Sequence, residues 1–288
     1  GTDMFLSFRE WHEYKYLLDN CTLAVLSRET DDRGEILSFK RSLENEDGAR
    51  IRLIEHEPLP MSSAEIRAML PKAGGAELLD DGVYSLIIKN RWYAAKPELR
   101  WLREKVRPYL TEKRARHVAG CEEQAVKLAR RWGADVYEAA EAGILHDITK
   151  KLSDEEQLIM CDKYGIILDA AERRNPRILH ARTGAALARE LFGIPDGIYS
   201  AIRWHTTGKP DMSLMEKIIY LADFTEPTRD FKGVEPLRKL CFEDIDGAME
   251  LGLRMSLEEI RSRGEDAYKD TVDAYQWYKK EQGGSATC

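Results

Sequence analysis

The chain has 288 residues, 51 acidic against 44 basic for a formal net charge of −7, with 43% hydrophobic and 33% charged residues. This is the composition of a globular protein able to bury one sizeable core or two modest ones. The acidic balance argues against generalised binding to nucleic acid, which calls for a basic surface, and leaves room for a local basic pocket. Five scattered cysteines (Cys21, Cys121, Cys161, Cys241, Cys288) form no CxxC, so a disulfide framework is not expected and a reducing cytoplasm is. Apolar runs such as AGIL and IIYLA are too short to span a bilayer, and no signal peptide is visible, so no membrane partner is expected.

Residues 1–95 mix strand-like and helix-like signals. TLAVLSRE (22–29) and IRLIEHE (51–57) read as short strands, with a polar, turn-rich stretch (30–49) between them. SSAEIRAML (62–70) reads as a helix opened by a capping box, Ser62 with Glu65, and DGVYSLIIKN (81–90) as a second amphipathic helix. Two strands are too few for a good sheet unaided. From 98 to 282 the pattern is helical throughout. His117, Cys121, Ala125, Leu128 and Trp132 share one face, with Gly133 as the stop. Ser153/Glu156, Ser213/Glu216 and Ser256/Glu259 read as further capped starts. Pro176, Pro195, Pro210, Pro227 and Pro236 are expected between helices, and the tail 283–288 is expected to be flexible.

Four of the six histidines, His117, His146, His180 and His205, lie in the helical part, each on an apolar helix face. Any one alone reads as a core histidine with a hydrogen bond. Four on separate helices, all facing inward, read as a site. Asp147 and Asp223 fall near the C-terminal ends of YEAAEAGILHD and LMEKIIYLAD. A helix dipole disfavours a carboxylate there by roughly 0.3–1 kcal/mol, and burial adds a larger cost. No basic residue precedes either aspartate within a turn. A metal ion answers both problems, since imidazoles and carboxylates are its natural ligands.

The order His117, His146-Asp147, His180, His205, Asp223 resembles the HD phosphohydrolase superfamily. Its contexts RARH (114–117), HDITK (146–150), LHA (179–181), RWHTTG (203–208) and LADFTEPTR (221–229) are similar to the YqeK family of symmetrical bis(5′-nucleosyl)-tetraphosphatases. The resemblance covers about residues 110–280. It implies iron, with manganese or cobalt as substitutes, held by His117, His146, Asp147 and Asp223. His180 and His205 would line the phosphate side or hold a second ion. It gives catalytic roles to Asp147, Lys150, His180 and His205. It also puts Arg114, His117, Lys150, His180, His205, Asp223, Arg229 and Thr271 against the nucleotide. The implied reaction is metal-dependent hydrolysis of diadenosine tetraphosphate to two ADP. The alternatives are an HD phosphohydrolase acting on other nucleotides, or a non-catalytic nucleotide-binding module of a larger fusion.

GTDMFLSFREWHEYKYLL, MSSAEIRAML and VYSLIIKNRWY resemble the C-terminal half of bacterial nicotinate-mononucleotide adenylyltransferase. In that likeness Asp3 and Trp11 line a nicotinate site, and Ser62, Ser63 and Arg67 open a helix over ATP phosphates. The family's phosphate-binding loop and His-x-x-His motif have no counterpart, so adenylyl transfer is not expected from these residues alone. Either the chain is a piece of a longer bifunctional protein, the reading that a start at Gly1 favours, or this segment is a docking or structural element; the missing half or a second copy is a candidate partner. The expected fold class is α+β: an incomplete Rossmann-like α/β segment (1–95) followed by an all-α HD bundle (98–282).

Overall fold

The computed structural model describes residues 1–27, 33–55 and 62–284. They form two compact units divided between Arg67 and Ala68. The first contains α1 (Thr2–Leu6), α2 (Tyr14–Asn20), β1 (Thr22–Val25), α3 (Arg33–Asp47) and β2 (Arg50–Leu53), and ends within α4 (Ser63–Met69). The two strands run parallel, in register from Thr22 opposite Arg50 to Val25 opposite Leu53. Phe5, Phe8, Leu18, Val25, Ile36, Leu43 and Ile51 form their core.

The first unit differs from its sequence pattern in its strands and in the stretch between them. Both strands are shorter than expected, ending at Val25 and Leu53; residues 28, 29, 56 and 57 lie outside the described residues. The stretch expected to be turn-rich contains α3. Parallel neighbours cannot be joined by a tight turn and need a crossover of a dozen or more residues. Ile36, Phe39 and Leu43 give that crossover an apolar side, with Ile36 and Leu43 buried.

The second unit continues with α5 (Asp81–Asn90), α6 (Leu99–Val106), α7 (Glu112–Trp132), α8 (Val136–Leu145), α9 (Asp154–Lys163), α10 (Ala170–Arg174), α11 (Leu179–Phe192), α12 (Asp196–Trp204), α13 (Leu214–Thr225), α14 (Val234–Glu243), α15 (Ile245–Ser262) and α16 (Lys269–Gly284). Helices α7 and α8 form its centre, with α12 and α13 packed against them. Gly143 permits the α7–α8 approach: a Cβ there would lie 2.8 Å from the Glu122 Cα.

Helix α5 forms over the expected residues but belongs to this unit, so the division falls before residue 68 instead of at 95–98. Tyr84, Ile87 and Ile88 join the helical core. Arg91 reaches the buried Glu141, and its Nε donates to the carbonyls of Phe192 and Gly193, both at 3.0 Å. Gly193 has φ +57°, and a Cβ there would strike the Lys89 carbonyl oxygen.

Capping boxes at Ser153/Glu156 and Ser213/Glu216 and the left-handed stop at Gly133 are present. Ser256 starts no helix. It lies inside α15, which Asp244 caps, because the buried stripe Ile245, Ala248, Met249, Gly252, Leu253, Leu257 runs through it. Pro236 sits in the first turn of α14, where its missing N–H costs no helical bond. Helix α16 continues to Gly284, and 285–288 lie outside the described residues. Among the described residues no helix is long and apolar enough to cross a membrane.

Candidate metal centre

The histidines sit where their helices point at one another. His117 lies in the buried face of α7, His146 and His205 cap the C-terminal ends of α8 and α12, and His180 lies in the first turn of α11. All four are buried, as is Asp147. Backbone carbonyls fix three of the rings. Nδ1 of His146 lies 2.8 Å from the Gly143 carbonyl, Nδ1 of His180 lies 2.7 Å from that of Arg177, and Nδ1 of His205 lies 2.7 Å from that of Ile202. A carbonyl can only accept, so Nδ1 carries the hydrogen and Nε2 offers a lone pair.

Those lone pairs converge. Nε2 of His117 and of His146 are 3.3 Å apart, and each faces Asp147 Oδ2, at 3.6 and 3.4 Å. Nε2 of His180 and of His205 are also 3.3 Å apart, and face the other oxygen, Oδ1, at 3.4 and 3.7 Å. Asp223 Oδ1 completes the first set, 3.0 Å from His117 Nε2. His117 has a carboxylate at each ring nitrogen. Its Nε2 meets Asp223 while its Nδ1 lies 3.1 Å from Glu226 Oε1, and a neutral imidazole has one N–H for two carboxylates. A second proton on His117 would serve both carboxylates, whereas a shared cation does so and also takes up the facing lone pairs of His146, His180 and His205. Donors bound at about 2.0–2.2 Å lie about 3–3.5 Å apart, matching these separations. The donor groups His117/His146/Asp147, His146/His205/Asp223 and Asp147/His180/His205 are those of a divalent metal centre, built of imidazole and carboxylate.

Electrostatics agree. Burial opposes ionisation of Asp147, but the neighbouring His146, His205 and His180 outweigh it and hold the carboxyl well below the usual range. Burial also opposes charge on Asp223, outweighed by the His117 bond and the Arg229 charge. His180 is pushed well down by burial and by the Lys150 ammonium, which keeps its imidazole neutral. His146 is raised well above the ordinary range despite burial, with Cys121 and Asp147 as neighbours. Burial pushes the Cys121 thiol up.

The basic side chains are closer than the sequence suggested. Arg114 Nη1 donates to Asp147 Oδ2 at 2.7 Å, and Arg229 Nη2 to Asp223 Oδ1 at 2.6 Å. The two aspartates therefore have cationic partners from elsewhere in the chain, and the metal reading rests on the imidazoles instead of on missing charge. Lys150 Nζ lies 3.1 Å from His180 Nε2 and shares a cavity lining with the buried Thr271. The residues likened to a nicotinate-nucleotide site all fall in the first unit. Trp11, 40% exposed, lines a cavity of about 190 Å³ with Phe5, Phe8 and Leu23. Ser62 is engaged in its capping box with Glu65, the box expected for α4, and Asp3, Ser62, Ser63 and Arg67 do not line that cavity.

The HD domain family matches residues 114–228, which carry all four histidines and both aspartates. A Halalkalibacterium halodurans protein described as a symmetrical bis(5′-nucleosyl)-tetraphosphatase is 38% identical over 178 residues, 62% of this chain and 95% of its own length. This chain belongs to that family. A crystal structure from Clostridium acetobutylicum, of a predicted HD superfamily hydrolase involved in NAD metabolism, superposes with a TM-score of 0.61. It is 36% identical and covers 62% of this chain and 96% of its own. A Mycoplasma genitalium protein described as a probable nicotinate-nucleotide adenylyltransferase/Ap4A hydrolase is 25% identical over 230 residues, 80% of this chain and 59% of its own length.

Around the centre of this tetraphosphatase-family chain, several supporting residues escape a sequence reading. Glu226 is fully buried and accepts from the Thr228 backbone N–H (2.6 Å) and hydroxyl (2.5 Å) while facing His117. Burial opposes its ionisation, but the Thr228 and His117 bonds lower its carboxyl. Gly120 leaves room for it, since a Cβ there would lie 2.4 Å from Glu226 Oε2. The EPTR context carried this signal, but a Glu beside a Pro reads as loop surface. Thr149, Thr183 and Gln157 form a second support. Thr149 Oγ1 donates to the His180 carbonyl at 2.9 Å, Thr183 to Gln157 Oε1 at 2.6 Å, and Gln157 Nε2 to the Thr149 carbonyl at 2.7 Å. Outer-shell partners of metal-bound histidines are worth roughly 10–100-fold in metal affinity or activity. Glu226→Gln is expected to weaken metal binding within that range, read by competition with a chromophoric chelator; unchanged affinity would remove Glu226 from the site.

Proposed function

We propose that the chain hydrolyses diadenosine tetraphosphate symmetrically to two ADP in the cytoplasm. The observation that carries this is the pair of donor sets sharing Asp147, one of them containing an imidazole caught between two carboxylates. Support for the substrate comes from the curated relative's activity, and for the compartment from Cys21, Cys121, Cys161 and Cys241, all free thiols. We assign one ion to His117, His146, Asp147 and Asp223, and a second to Asp147, His180 and His205, with iron as the metal and manganese or cobalt as substitutes. When bound, such ions supply an activated water and a Lewis acid for phosphate oxygens.

The chain's own residues do the remaining work. Hydrolysis adds one water across a central P–O bond, and the departing oxygen belongs to a phosphate. That oxygen needs a nearby positive charge more than it needs a strong acid. Lys150 supplies one from the smaller cavity, and Arg229 a second from the larger. Arg114 and Arg229 hold the two aspartates in place from outside. His180 and His205, fixed through Nδ1, keep Nε2 turned to the reacting side.

The test is anaerobic purification with metal analysis, then chromatography of products from diadenosine tetraphosphate. Two ADP per substrate are expected. AMP with ATP, or released orthophosphate, would overturn symmetrical cleavage.

A further inference from the structure

The second unit builds an aromatic wall beside the centre that the metal and phosphate chemistry leaves unused. A cavity of about 660 Å³ opens from Asp223, His205 and Arg229, and another of about 230 Å³ from Lys150 and Thr271. They share Thr206, Ser256, Glu259 and Arg263, which makes them two arms of one cleft. The larger arm is walled by rings. Tyr220 and Phe224 stack at 6.2 Å with planes 14° apart, and Phe224 meets Phe231 edge-on at 5.3 Å. The innermost ring is fixed, because the Tyr220 hydroxyl lies 3.1 Å from Ser256 Oγ. Gly233 has φ +94°, a conformation that side chains rarely adopt, in the turn that leads from Phe231 into α14.

Phe224 and Phe231 are only half-buried, although they sit beside a core that encloses Tyr220 almost completely. Both rings line the larger arm. A base has a π face that stacks on such rings whatever its sequence identity, and the arm's volume lies in the range that encloses a small-molecule ligand. Arg229 stands at the junction between wall and centre, where a phosphate attached to that base would run. A substrate cut at its middle must carry a nucleoside away from the centre on both sides, and a cleft with two arms provides that.

We infer that the Phe224–Phe231 wall is the subsite for one nucleobase of the substrate. The inference rests on the hydrolase reading for the identity of the ligand, and its test separates the two. The probes are a diadenosine tetraphosphate analogue with a methylene group in place of the central bridging oxygen, and inorganic tetraphosphate. Each is titrated against the metal-loaded chain and its Phe231→Ala variant. Stacking on one aromatic ring is worth about tenfold or more in affinity. The analogue is expected to lose that factor in Phe231→Ala and to recover it in Phe231→Trp, while inorganic tetraphosphate binds all three alike. Equal loss of both probes, or no loss of the analogue, overturns the subsite. Turnover is scored separately. A chain that binds the analogue through Phe231 yet leaves diadenosine tetraphosphate uncut upholds the subsite and overturns the hydrolase.

Discussion

Asp147→Ala is expected to strip the chain of bound metal and to abolish hydrolysis of diadenosine tetraphosphate. Asp147 faces all four imidazoles, with Oδ2 toward His117 and His146 and Oδ1 toward His180 and His205. Removing it takes a ligand from two of the three donor groups, sparing only His146, His205 and Asp223, and leaves Arg114 without its carboxylate. The loss should exceed the roughly 10–100-fold that an outer-shell partner is worth. Asp147→Asn, nearly equal in size but uncharged, should also lose turnover, which separates the charge from the space it fills. Elemental analysis and product chromatography on the same preparations check both points. A metal-loaded, fully active Asp147→Ala chain would sink the assignment.

Local rules made the helical half legible. The face running from His117 through Cys121, Ala125, Leu128 and Trp132 appeared where its spacing placed it, and two of three capping boxes formed in that half. Ser256 failed because a capping box is only a local preference. Inside a helix already capped by Asp244 and packed through Leu253 and Leu257, its hydroxyl serves Tyr220 instead. Helix α3 was hidden for the opposite reason. Its polar composition masks two buried positions, and only the pairing of β1 with β2 demands a crossover there. The assignment of α5 to the helical unit was not readable either, because it depends on Arg91 meeting Glu141 across 50 residues.

At the site, residue types were legible and their relations were not. Four inward histidines and two aspartates at helix ends point to a metal, and no basic residue precedes either aspartate within a turn. Arg114 and Arg229 supply positive charge from sequence distances no periodicity reveals, 33 residues from Asp147 in one case and six from Asp223 in the other. What persists is geometric: Nδ1 pinned by a carbonyl or a carboxylate at every ring, and Nε2 turned inward. Glu226 belongs to the same class. Its role exists only because Gly120 on another helix makes room for it.

Lys150→Met is expected to cost about 10²–10³-fold in kcat, the range found when a single charge-stabilising donor is removed from a reacting centre. Lys150 lies one turn past Asp147 in a tight segment, and burial, reinforced by the charges of Arg114 and Arg229, lowers its pKa against the pull of Asp147 and Asp223. A cation held at that cost, facing a cavity shared with Thr271, is placed for charge that grows during reaction. Methionine keeps much of the length and loses the charge. If Lys150 acts mainly in the transition state, kcat falls with little change in KM, whereas a residue that only binds substrate would raise KM alone. Because Nζ also lies 3.1 Å from His180 Nε2, the variant must be shown to keep its metal. Retained metal with lost turnover, partly restored in Lys150→Arg, identifies the charge as the cause. Full turnover in Lys150→Met would leave the departing oxygen to Arg229 alone.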